Sequence, residues 1–113
     1  MDKALSREGY IQTICVLGKK IRTTQKYWQH IIDHKHGELA GRLDEALATL
    51  NKADAVYQHP ASQDLYLYYC QINKHWVCVV ARHLNSEGFI VTAYLTSKAK
   101  RKGKLIWQKT MDK

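Results

Sequence analysis

Leu65-Tyr66-Leu67-Tyr68-Tyr69-Cys70-Gln71-Ile72, Asn73-Lys74, His75-Trp76-Val77-Cys78-Val79-Val80-Ala81-Arg82-His83-Leu84 is the stretch that decides the fold. Both long segments are rich in aromatic and β-branched residues and hold no glycine or proline, which favours extended chain. Asn73-Lys74 between them suits a tight turn, because asparagine tolerates left-handed backbone. The spacing therefore predicts an antiparallel hairpin of strands 65–72 and 75–84. Reading onward, Asn85-Ser86-Glu87-Gly88 is a second turn, and 89–95 a third strand.

Reading back, His59-Pro60-Ala61-Ser62 is a turn preceded by a short strand over 55–58. Upstream the period changes. Leu39, Leu43, Ala46, Leu47 and Leu50 fall on one helical stripe, with Arg42, Asp44 and Glu45 turned to water, so a helix is expected over about 38–50. Thr23 or Thr24 can cap an earlier helix that runs through Trp28 and Ile31-Ile32 to about His34 and breaks at Gly37. Residues 11–17 alternate weakly and read as a strand or an irregular lead-in. Helices first and strands after make the class α+β. The expected architecture is N-terminal helices packed on one face of a curved, antiparallel, four-stranded meander sheet, as a single domain over residues 1–113.

Pairing Ile72 with His75 and Leu84 with Phe89 sorts the side chains onto two faces. Leu65, Leu67, Tyr69, Trp76, Cys78, Val80, Phe89, Val91, Ala93 and Leu95 form an apolar face expected against the helices. Tyr66, Tyr68, Cys70, Val77, Val79, Ala81, His83, Ile90, Thr92 and Tyr94 form the other, expected to open to substrate. The same register separates Cys70 from Cys78. With Cys15 they make three cysteines that cannot all pair within one chain, read here as buried thiols of a reducing cytosol.

The 113 residues carry 18 Lys+Arg against 10 Asp+Glu, a net charge of +8, which attracts polyanions, nucleic acid foremost. No apolar run approaches the roughly 20 residues that span a bilayer, and the N-terminal residues lack the apolar core of a signal peptide, so a cytoplasmic protein without a membrane partner is expected. Lys98, Lys100 and Arg101 belong to the basic run 97–104, suited to phosphate contacts. Tyr66, Tyr68 and Tyr94 are candidates to stack on bases, with His83 beside them.

Three histidines, His30, His34 and His36, lie with Asp33 and Glu38 within nine residues. Imidazole both gives and takes protons near neutral pH. His30 and His34 share one helix face, an HxxxH spacing that also suits zinc, although no cysteine or HExxH motif accompanies it. Arg82 is a strand cation able to stabilise a pentacoordinate phosphorane, and the Thr92 hydroxyl is placed to bond a phosphate oxygen.

Trp28-x-His30-Ile31, His36-Gly37-Glu38-Leu39, Ala53-Asp54-Ala55-Val56, Thr92-Ala93-Tyr94 and Gly103-Lys104-Leu105-Ile106-Trp107 occur in an order that resembles the phage-associated barnase/EndoU/colicin/RelE-like (BECR-fold) nuclease domains, whose pattern reads W-x-H-I, H-P-E-L, P-D-x-V, T-A-Y and G-x-x-x-W. The resemblance covers about residues 20–107. Gly37 and Ala53 stand where the pattern has proline, and His34-Lys35 reads as a one-residue insertion. The resemblance implies a metal-independent endoribonuclease with no cofactor, a toxin of a toxin–antitoxin or phage-conflict system, with an acidic antitoxin or immunity protein as partner. It places catalytic duty on His30 or His36, Arg82 and Thr92. The competing readings are a non-catalytic RNA- or DNA-binding module, a zinc nuclease, and a basic partner for an acidic protein.

Overall fold

The computed structural model describes residues 10–100 and 102–109. Its centre is the hairpin read from the sequence. Strand β4 (Leu65–Ile72) pairs antiparallel with β5 (His75–Leu84), with Ile72 opposite His75, and Asn73 takes φ 58° in the turn. Strand β6 (Glu87–Thr96) pairs antiparallel with β5, and β3 (Ala55–Gln58) with β4.

Three further strands overturn the four-stranded meander. β1 (Tyr10–Ile14) and β2 (Lys20–Thr24) form a hairpin closed at Gly18, whose φ is +85°. β2 then pairs parallel with the start of β6, Lys20 with Glu87 through Arg22 with Phe89. β7 (Lys104–Gln108) returns antiparallel to β3. The sheet is therefore seven-stranded and mixed, in the order β1-β2-β6-β5-β4-β3-β7. A parallel pair between distant segments, and a five-residue strand inside a lysine-rich stretch, leave no period-two signature to read.

β2 runs straight into helix α1 (Gln25–His34), whose first turn is capped by Thr24 Oγ1, which accepts from the Tyr27 N–H at 3.0 Å. Trp28 and Ile31 bury one side of α1, and the N–H groups of Lys35 and His36 both close on the Ile31 carbonyl. The second helix is shorter than its stripe suggested. A 3₁₀ turn (Gly37–Leu39) comes first, and α2 (Leu43–Asn51) follows Gly41, which sits at φ +76°.

The helices cover the face expected to be open. Ile31, Leu39, Ala46 and Leu50 pack on Tyr68, Val77, Val79, Ala81, Ile90 and Ala93, all at most 1% exposed. Small side chains at 79, 81 and 93 let the helices approach closely, and the buried Tyr68 hydroxyl is satisfied internally by His83 and Cys15. Hydroxyls in the sequence suggest a solvent-facing surface, but a paired hydroxyl is compatible with a core.

The opposite face is buried as well. Tyr57, Leu67, Tyr69, Cys78 and Val80 cluster there, and Ala99 of the β6–β7 connection packs on them as the chain crosses the sheet. All three cysteines are free and buried.

The second hairpin also differs from expectation. Leu84 pairs with Glu87 across a two-residue turn, Asn85-Ser86, and a bulge follows, with Val80 opposite Thr92 but Ala81 opposite Ile90. One extra residue on β6 reverses the side-chain phase beyond it. Thr92 and Tyr94 therefore lie on the face of Cys78 and Val80, away from Tyr66, Tyr68 and His83. Among the described residues no helix is long and apolar enough to cross a membrane.

Candidate functional site

Because β2 covers β6 only as far as Phe89, the second half of β6 has a free edge that α1 and the 3₁₀ turn occupy. Tyr27 donates its hydroxyl to the Val91 carbonyl at 2.8 Å. The carboxylate of Glu38 accepts the backbone N–H of Leu95. These anchors set the segment that carries His36 beside Tyr94, with ring centroids 5.7 Å apart.

His36 Nδ1 lies 3.2 Å from Glu38 Oε2. An ionised carboxylate only accepts, so Nδ1 carries the proton, and the neutral ring keeps its lone pair on Nε2. The carboxyl of Glu38 is held below the usual range, first by its own backbone N–H; burial opposes this, and the neighbouring His36 and the Leu95 N–H add smaller effects. The arrangement is that of a base oriented by a carboxylate.

Tyr94 is half-buried. Burial pushes its phenol far up, and its hydroxyl shares hydrogen bonds with Cys78 and Tyr69, so it stays protonated and fixed. Burial likewise pushes the Cys78 thiol up to about 12. The Thr92 hydroxyl, two residues back on the same strand face, is sealed from solvent and has no hydrogen-bond partner among the described residues. That does not meet the expectation that it bonds phosphate in an open cleft.

The other expected residues are scattered. His30 lies exposed on α1, its ring 5.9 Å from Tyr27 and 4.7 Å from His34. No group of three or more His, Cys, Asp or Glu side chains suited to a metal ion occurs among the described residues, so the HxxxH pair lacks a third ligand there. Arg82 is tied by Nη1 to Asp64 Oδ2 at 2.6 Å, and Asp64 also accepts from Ser62 at 2.6 Å. Arg82 pairs with Phe89, whereas Tyr94 pairs with Cys78. Four residues of strand, about 13 Å, separate the two positions, so Arg82 is not brought to His36.

His83 and Tyr68 are buried, against the expectation that they face RNA. The His83 ring stacks on Tyr66 at 3.9 Å, and its Nε2 lies 2.6 Å from the Tyr68 hydroxyl. Burial, then the nearby Lys19 charge, pushes the His83 imidazole down to about 4. Lys98 and Lys100 are exposed on the β6–β7 connection; Arg101 lies outside the described residues.

Among the described residues there is one further histidine–carboxylate pair, His75 Nε2 to Glu45 Oε1 at 3.4 Å. There the carboxylate is already claimed by Arg42, 3.0 Å from each of its oxygens, which leaves His36 with the better-defined partner. The sequence carried a signal for Glu38, two residues from His36. It carried none for the slot between β2 and β6, which Arg22, Thr23, Thr24, Tyr27, Phe89 and Ile90 line.

Comparison with protein-family models, curated proteins and solved structures gives no significant match.

Proposed function

We propose that this protein is an endoribonuclease that needs no metal, with His36 as its base, serving as a toxin in a bacterial toxin–antitoxin or phage-conflict system. The observation that carries the reading is the His36–Glu38 pair held against Tyr94 at the free edge of β6. Nε2 of His36 takes the proton of a ribose 2′-hydroxyl, and the oxygen attacks the adjacent phosphorus. The 5′-oxygen leaves with a proton from solvent, giving a 2′,3′-cyclic phosphate and a 5′-hydroxyl end. Glu38 stabilises the imidazolium as it forms. Lys98 and Lys100 hold the phosphate backbone, and the net charge of +8 draws the strand in. An acidic antitoxin or immunity protein is the partner such a surface would take.

The test is incubation of purified protein with RNA in EDTA, with the chemistry of the cleaved ends determined. Cyclic phosphate ends, and a cleavage rate about 10²–10⁴-fold lower in His36→Ala, are expected. RNA bound tightly but left intact at high protein concentration would favour the non-catalytic binding module. The lysines of the β6–β7 connection support that second reading equally well.

A further inference from the structure

The β2–β6 pairing stops at Arg22 and Phe89, because β2 then becomes α1 while β6 runs on along β5. The fork opens a slot of about 300 Å³ lined by Arg22, Thr23, Thr24, Tyr27, Phe89 and Ile90. That is the lower end of the range of about 300–1,000 Å³ for small-molecule sites, a size for one flat heterocycle.

The walls match such a ligand. Phe89 is 38% exposed, a large apolar ring left at a concave surface, and Tyr27 also lines the slot. Polar groups sit among them. Arg22, held to Glu87 at 3.2 Å, places a guanidinium at the rim. Thr24 spends its hydroxyl on the helix cap, and the Thr23 hydroxyl is sealed from solvent.

The slot adjoins a shallower cleft of Thr24, Lys26, Tyr27 and His30. A phosphate attached to the heterocycle would meet the Lys26 ammonium and the His30 imidazole there. Aromatic walls, a rim guanidinium and an adjoining cation together describe a nucleotide rather than a lipid or a peptide.

We infer that the fork between β2 and β6 is a nucleobase-binding slot, with Phe89 as the stacking wall, Arg22 as the polar contact at its rim, and Lys26 and His30 as contacts to the attached phosphate. This deepens the ribonuclease reading by giving the RNA a base-recognition point apart from His36, and it recasts His30 as a binding residue.

The test is equilibrium binding of the full chain to AMP, GMP, CMP and UMP, with ribose 5-phosphate and inorganic phosphate as base-free probes. At least one nucleotide should bind about tenfold or more tighter than ribose 5-phosphate. Phe89→Ala should erase that advantage and leave ribose 5-phosphate affinity unchanged. Phe89→Leu, which keeps apolar bulk and loses the π face, should lower it in part. Equal affinity for nucleotides and ribose 5-phosphate, or nucleotide affinity indifferent to both Phe89 variants, would overturn the slot. Base-selective binding without RNA cleavage would sink the nuclease reading and leave the slot standing. Cleavage accompanied by base-blind binding would do the reverse.

Discussion

Lowering the pH from neutrality to about 4 is expected to remove about 3 kcal/mol of folding stability through His83 alone. His83 is 8% exposed, stacked on Tyr66 and bonded to Tyr68, whose hydroxyl also contacts Cys15. Burial, with Lys19 adding repulsion, lowers the imidazole from its ordinary 6.5 to about 4. Between those values the unfolded chain takes up a proton that the folded chain refuses. The contribution is therefore complete above about pH 6.5 and lost progressively as the pH falls to about 4. At roughly 1.4 kcal/mol per pH unit the whole window is worth about 3 kcal/mol. Urea unfolding of the wild-type chain and His83→Gln at half-unit steps from pH 7.5 to 4 isolates the effect, since the other titrating groups are common to both. The stability gap between them should narrow by about 3 kcal/mol. A constant gap would refute the reasoning. So would an NMR titration of the unaltered chain in which the His83 ring protonates above pH 6, and that measurement does not depend on the variant folding.

Two other outcomes follow from the same structure. A Cβ on Gly103 would sit 1.9 Å from the Gln58 carbonyl, at a backbone φ of +91°. Gly103→Ala should therefore cost about 2–4 kcal/mol, read in urea unfolding, with the β7 amides losing hydrogen-exchange protection first. Replacing exposed Lys98, Lys100 and Lys102 together by glutamine should reduce the slope of log affinity against log salt for single-stranded RNA by about 2, at about 0.7 per phosphate contact. An unchanged slope would remove the β6–β7 connection from the binding surface.

How much of this was readable in advance differs sharply between elements. β3, β4, β5 and α1 follow their local patterns, because each is dictated by neighbours within a few residues: alternation, an Asn turn, a threonine cap. The face that meets the helices is the reverse of the one the alternation suggests. Tyr66, Tyr68 and His83 look polar as letters, yet in place they satisfy one another. One bulged residue on β6 then carried Thr92 and Tyr94 to the other side of the sheet, and nothing in the alternation of 89–95 marks where such a slip occurs.

The functional residues divide along the same line. His36 and Glu38 are two apart, so their pairing is within reach of a sequence reading, as was the attraction of a +8 chain for polyanions. Local composition determined the histidine cluster, the central hairpin and the basic connection. Only the tertiary structure decided that His36 meets Tyr94, that Arg82 is bound to Asp64, that His83 is core, and that β2 and β6 part to form a slot. These depend on contacts between residues far apart in the chain, and such contacts follow from which surfaces pack best together, which no window of neighbouring residues contains.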